Sequence, residues 1–118
     1  MNIVITDLSG VTKAQLSGRL DTANVNGVES EFTSGVLPLA QNTIVDLSDV
    51  SFIASLGIRM LLSAARVLSR QGARLVMYGA SPGIMEIIET TALSDIIPVL
   101  PSEAAAIAKV FVHASGLK

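Results

Sequence analysis

A chain of 118 residues with a formal charge of -2 and 50% hydrophobic residues holds enough apolar material for one domain with a core that needs no metal or disulfide staple. Mean hydropathy of +0.60 excludes disorder, and eight Lys and Arg against ten Asp and Glu exclude the large positive field of a nucleic-acid binder. No cysteine is present, which excludes disulfides, zinc–thiolate sites and thiol catalysis; one histidine (His113) cannot build a multi-histidine metal site, and 3% aromatics cannot build a stacking platform for single strands.

Nothing near Met1 reads as a signal peptide: there is no basic leader region, and Asp7 interrupts the first apolar run. No apolar stretch reaches the ~18 residues of a membrane-spanning helix, so no membrane insertion is expected and the default location is cytoplasmic. Residues 3–8 and 11–17 read as two strands joined by a Ser9-Gly10 turn. The segment Gly18-Arg19-Leu20-Asp21 closes the second strand. A helix is expected over 23–37, with Val25, Val28, Phe32 and Val36 at spacings of three and four, and Pro38 ends it. Residues 43–47 form a continuous apolar strand broken by Asp46, the pattern of a strand covered on both faces. A turn-rich segment over 48–55 leads into a long helix over 56–71, stopped by Gly72. A strand over 73–78, a loop ending at Pro82, a helix over 83–91 and a last strand over 95–100 follow. The final helix is expected over 102–114 with Ser102 as N-cap, which places His113 at an exposed helix end. The order ββαβαβαβα implies right-handed crossovers and an α/β domain over 1–118, with a mostly parallel sheet of about five strands, an antiparallel N-terminal hairpin and about four helices.

On the long helix, Ile58, Leu61, Leu62, Ala65 and Leu68 fall on one broad apolar face. Met60 and Val67 sit at its shoulder and are expected in the core. Arg59, Arg66 and Arg70 line the opposite face with Ser63 beside them, and Arg74 follows. That stripe reads either as a solvated face or as a docking strip for an acidic partner. Ser55 fits the N-cap, where its hydroxyl accepts from an orphan backbone N–H. The same position suits a phosphate, which would meet the positive end of the helix dipole. Gly57 costs ~1 kcal/mol inside a helix, so either a tight turn or a close backbone approach stands behind it. Asp21 fits a helix cap, and Asp46 and Asp49 fit turn residues that satisfy nearby N–H groups.

The run Val45-Asp46-Leu47-Ser48-Asp49-Val50-Ser51-Phe52-Ile53-Ala54-Ser55-Leu56-Gly57-Ile58-Arg59 resembles the signature of STAS domains, the sulphate-transporter and anti-sigma-factor-antagonist family. Gly18-Arg19-Leu20-Asp21 resembles the family's Gly-x-Leu-Asp. Ala80-Ser81-Pro82, followed by Ile84, Ile87-Ile88 and Thr91-Ala92-Leu93, resembles the segment after its fourth strand. The likeness runs in order along almost the whole chain. It implies a bacterial anti-sigma factor antagonist with no cofactor and no catalysis of its own. Unphosphorylated, such a protein binds an ATP-using anti-sigma factor serine kinase. The kinase phosphorylates the motif serine, here Ser55, and the antagonist lets go until a phosphatase resets it. The family often has Asp before that serine and Ala54 stands there instead, so Asp21 is the substitute source of negative charge at the same surface. The partner-binding set implied is Asp21, Ala54, Ser55, Leu56, Gly57, Arg59, Ser63 and Arg66. Arg59, four residues beyond Ser55, has the spacing to reach a phosphate in cis. A homodimer is compatible with the sequence.

Two other classes remain open at this level. One is a STAS subunit or scaffold with a fixed protein partner, such as a lipid-transport ABC system, without phosphorylation. The other is a flavodoxin-like or receiver-type phosphoryl-transfer domain. Against it, no acidic pair closes the first strand, no Gly-rich phosphate loop is present, and no Ser-His-Asp arrangement is readable.

Overall fold

In a computed structural model that describes residues 2–116, with side chains as far as Val110, the chain opens with a hairpin of β1 (Asn2–Asp7) and β2 (Val11–Leu20). Ser9 and Gly10 both take positive φ, as the two central residues of a type I′ turn require, and that turn matches the right-handed twist of the strands it joins. The Leu8 N–H donates to the Val11 carbonyl (2.7 Å) and the Gly10 N–H to the Asp7 carboxylate (3.1 Å).

Strands β3 (Asn42–Ile53), β4 (Leu75–Tyr78) and β5 (Val99–Leu100) complete a sheet in the order β1-β2-β3-β4-β5. Only β1 is antiparallel to its neighbour. Because successive parallel strands step in one direction, right-handed crossovers put α1 (Val25–Glu31), α2 (Ser55–Arg70) and α3 (Pro82–Thr90) on the same face. Their apolar sides and the inward residues of the sheet form the main core, with Leu16, Leu20, Phe32, Leu47, Leu61 and Ile88 among its sealed members. Helix α4 (Glu103–Gly116) lies alone on the opposite face, where Ala106 and Val110 pack on Val11, Ile44, Val76 and Tyr78.

Four expectations change. The strand expected to end at Leu47 runs on to Ile53, because residues 48–53 pair with the end of β2 instead of turning; Ser48, Asp49 and Ser51 face out while Val50 and Ile53 face in. Asp46 and Asp49 are therefore strand residues. Asp46 nevertheless satisfies a local N–H, accepting from Ser48 at 2.9 Å. The first helix begins at Val25, and its second half widens into a π turn over Phe32–Val36, followed by a 3-10 turn over Leu37–Leu39 that carries Pro38. The wider turn stacks Phe32 and Val36 into the core, and Gly35 allows it to lie against Ile5 of the edge strand, whose Cδ1 would stand 2.7 Å from an added Cβ. The last strand shrinks to Val99–Leu100: a 3-10 turn over Leu93–Asp95 and the donor-less Pro98 occupy the rest. Ser102 accepts from the Ala105 N–H (3.2 Å), as a cap should; the side chain of His113 lies outside the described residues.

A polar cluster pins the start of α4 to the sheet. The Lys13 ammonium (2.6 Å) and the Tyr78 hydroxyl (2.9 Å) both donate to Glu103 Oε1. These two donors hold the Glu103 carboxyl below the usual carboxylate range, Lys13 contributing most. Burial, then the neighbouring carboxylates, push the Tyr78 hydroxyl well above its ordinary range, so it stays a donor. A carboxyl whose pKa is depressed by folding contributes stability that is present above its unfolded pKa and lost as pH falls through its folded one. The wild type should therefore lose more stability than Glu103→Gln between about pH 5 and pH 3. The difference will be small, since the Glu103 side chain is 41% exposed. Denaturant unfolding at each pH measures it; equal acid sensitivity of the two proteins would remove the cluster from the acid response.

Candidate functional site: the N-terminus of the second helix

Leu20 pairs with Ile53 and Arg19 with Phe52, so β2 and β3 end side by side and their following loops leave the sheet together. The Ala54 N–H donates to the Leu20 carbonyl (2.8 Å), which ties the start of α2 to the end of β2. This is the carboxyl end of parallel strands, where open α/β sheets place their sites.

Ser55 is the first residue of α2 and is exposed. The N-cap is Ala54, in extended conformation (φ -86, ψ 169), and no side chain caps this helix end. The expectation that Ser55 is itself the cap is corrected: it stands one residue too late, already inside the helix. Consequently the hydroxyl is not spent on a backbone N–H. Among the described residues no hydrogen bond engages it, and the first N–H groups of α2 lack a side-chain acceptor.

The neighbours divide into those that face outward and those that shape the surface from beneath. Leu56 is 40% exposed, a large apolar side chain left in water beside the serine. Arg59, Ser63 and Arg66 follow on the exposed side of α2, with Arg70 beyond. None of Arg59, Arg66, Arg70 and Arg74 has a carboxylate within 4.0 Å among the described residues, so the stripe's charge is not neutralised internally. Ile58, Met60, Leu61, Ala64 and Leu68 are buried, and Leu62, Ala65 and Val67 are half-buried. Gly57 is buried too. A Cβ there would stand 2.7 Å from Leu20 Cγ and 2.9 Å from its Cδ2, so the close approach that this glycine permits is made by Leu20 from within the chain.

Asp21 lies one residue past the end of β2. Its carboxylate accepts from the Ala23 (3.1 Å) and Asn24 (3.2 Å) N–H groups, organising the turn into α1, and stands 3.5 Å from Arg19 Nε. The N-cap of α1 is Asn24, with no side chain capping it, so the expectation that Asp21 caps the helix is corrected: half-buried, it holds the turn that precedes it. Sequence reasoning missed Arg19 and Phe52 here. The guanidinium lies 4.5 Å over the Phe52 ring, joining Asp21 to the strand that leads into Ser55. The register of two parallel strands sets that pairing, and only the Phe within the signature hinted at it. Ser63 also lines a groove of about 140 Å³ between α2 and the segment from α1 into the turns that follow it, shared with Glu29, Phe32, Leu37, Met60 and Val67.

Residues 2–106 match the STAS domain model, and the chain belongs to that family. It is 29% identical over 108 residues to BtrV of Bordetella bronchiseptica, a protein assigned by name to the anti-sigma factor antagonists, with 92% of this chain and 93% of BtrV covered. Its fold superposes on an anti-sigma factor antagonist from Mycobacterium paratuberculosis with a TM-score of 0.84 at 23% identity, covering 92% of both chains. It also superposes on the Bacillus cell fate determinant SpoIIAA in its phosphorylated form, with a TM-score of 0.69 at 20% identity and 92% and 99% covered. At these identities the structural likenesses establish the fold: a five-stranded mixed sheet with four helices. Among the described residues, no helix is long and apolar enough to cross a membrane.

Proposed function

We propose that the chain is an anti-sigma factor antagonist, a binding protein with no catalysis of its own, whose hold on its partner is set by the charge on Ser55. Unphosphorylated, it binds an anti-sigma factor serine kinase through Asp21, Ala54, Ser55, Leu56, Arg59, Ser63 and Arg66, with Gly57 letting the first turn of α2 sit low on the sheet. The kinase transfers the γ-phosphoryl group of ATP to the Ser55 hydroxyl, and the antagonist dissociates. A separate phosphatase removes the group by hydrolysis and restores binding.

The observation that carries this reading is the exposed, uncapped hydroxyl at the first position of α2. A phosphate there adds about -1.5 to -2 charges at one point. In the free chain that charge is favoured by unfilled N–H groups, the helix dipole and Arg59 one turn on. In a close protein interface it must shed water and meet whatever acids the partner presents, so binding is opposed. Each 1.4 kcal/mol of that opposition is tenfold in affinity.

Incubation with the cognate kinase and ATP, read by intact mass, tests the reading. One added phosphate is expected, and none on Ser55→Ala. An unmodified wild type would instead favour a STAS subunit with a fixed protein partner. The presence of Ala54 where the family often carries Asp is the feature that makes this second reading worth the measurement.

A further inference from the structure

At the opposite end of α2 from Ser55, its last turns, the start of β4 and the chain before β5 enclose an open cleft of about 270 Å³. Arg66, Ser69 and Arg74 supply its polar side, and Ala73, Ile96 and Pro98 its apolar side. Two features make this more than a solvated helix end. Ile96 is 55% exposed, a large apolar side chain left in water at the cleft's edge. Arg66 and Arg74 have no carboxylate within 4.0 Å among the described residues, although the chain as a whole carries more acids than bases. Arg70, exposed, adds a third cation near the same end of the helix.

We infer that this cleft docks an acidic segment of a protein partner, one that presents carboxylates to Arg66 and Arg74 and an apolar side chain to Ile96 and Pro98. Guanidinium groups pair with carboxylates through two parallel hydrogen bonds, and a wall of exposed apolar surface selects for a peptide over a bare anion. Nucleic acid is a poorer fit, since the lining has no aromatic side chain for a base to stack on. The cleft shares Arg66 with the surface proposed above but lies apart from the charge that switches it. Ser55 and Arg66, the cleft's nearest cation, are separated by roughly 16 Å along the helix at ~1.5 Å per residue, about two screening lengths of ~8 Å at physiological salt. A segment held here keeps its contacts when Ser55 is phosphorylated.

The test uses the full chain, labelled with nitrogen-15, and a capped peptide of alternating Glu and Leu as probe. Amide shifts confined to residues 65–75, Ile96 and Ile97 are expected, weakening with added salt. Arg66→Ala/Arg74→Ala should lower affinity by about tenfold or more, and Ser55→Asp should leave it unchanged. Spectral dispersion of the double variant reports its folding, and the exposed single change Arg66→Glu repeats the test if it fails to fold. No shift in these residues at about 2 mM peptide would overturn the proposal. So would unchanged binding by the variants, or the same shifts produced by inorganic phosphate or a short oligonucleotide. Weakened binding in Ser55→Asp would overturn the independence of the two ends while leaving the serine reading intact.

Discussion

Ser55→Asp should weaken binding to the proposed serine-kinase partner by about a hundredfold, roughly 3 kcal/mol, whereas Ser55→Ala should cost about tenfold or less. The contrast separates charge from hydrogen bonding. Removing a hydroxyl forfeits at most a neutral hydrogen bond, ~1 kcal/mol. Adding a carboxylate at the same point forces a charge into an interface that was built around a neutral group. The same substitution should leave the free protein as stable or raise its stability by ~0.3–1 kcal/mol, because the negative charge lies at an uncapped helix N-terminus. Calorimetric binding and thermal unfolding of the three proteins measure both quantities. Wild-type affinity in Ser55→Asp would show that charge at Ser55 is not what governs release. A fall in stability matching the fall in affinity would trace the loss to misfolding.

Gly57→Ala should destabilise the protein by about 1–3 kcal/mol, against the usual benefit of alanine in a helix. The reason is steric: the new methyl would stand 2.7 Å from Leu20 Cγ and 3.1 Å from Ile53 Cγ2. Leu20 is sealed in the core and its clashing atom is the branch carbon, so it has no free end to swing away. Relief has to come from lifting the first turn of α2, which moves Ser55. A double-mutant cycle with Leu20→Ala checks the cause. Leu20→Ala alone should cost ~2–5 kcal/mol, and in that background Gly57→Ala should become neutral or stabilising. Additive costs in the cycle would show that Leu20 is not the obstacle. A Gly57→Ala protein that is as stable as wild type would show that the turn can rise without penalty.

The order of elements along the chain, the three crossover helices and the core face of α2 were legible in the sequence, because each is written in a local pattern. Alternation of two, spacing of three and four, and Ser-Gly or Pro punctuation act within a few residues of one another. The STAS resemblance likewise rested on contiguous motifs, and the family match over residues 2–106 agrees with it. Where reading failed, the deciding partner was distant in sequence. Residues 48–53 carry turn-forming Ser and Asp, yet they stay extended because β2 offers them a ladder thirty residues away. The π turn in the first helix lies against Ile5 of the edge strand; the short β5 is the local exception, bounded by Pro98 and Pro101.

The site divides in the same way. Sequence alone determined that a serine opens a long crossover helix, that a basic stripe lies on its outer face, and that a glycine follows two positions on, since all three depend only on residue order and helical period. The tertiary structure alone decided that Ala54 and not Ser55 takes the capping position, that Leu20 is what Gly57 makes room for, that Asp21 is occupied by its own turn and Arg19, and that Arg66 and Arg74 share a cleft with Ile96. Those outcomes depend on where one strand stops beside another and on which side chain meets it there, and non-local contacts of that kind leave no periodic trace in the chain.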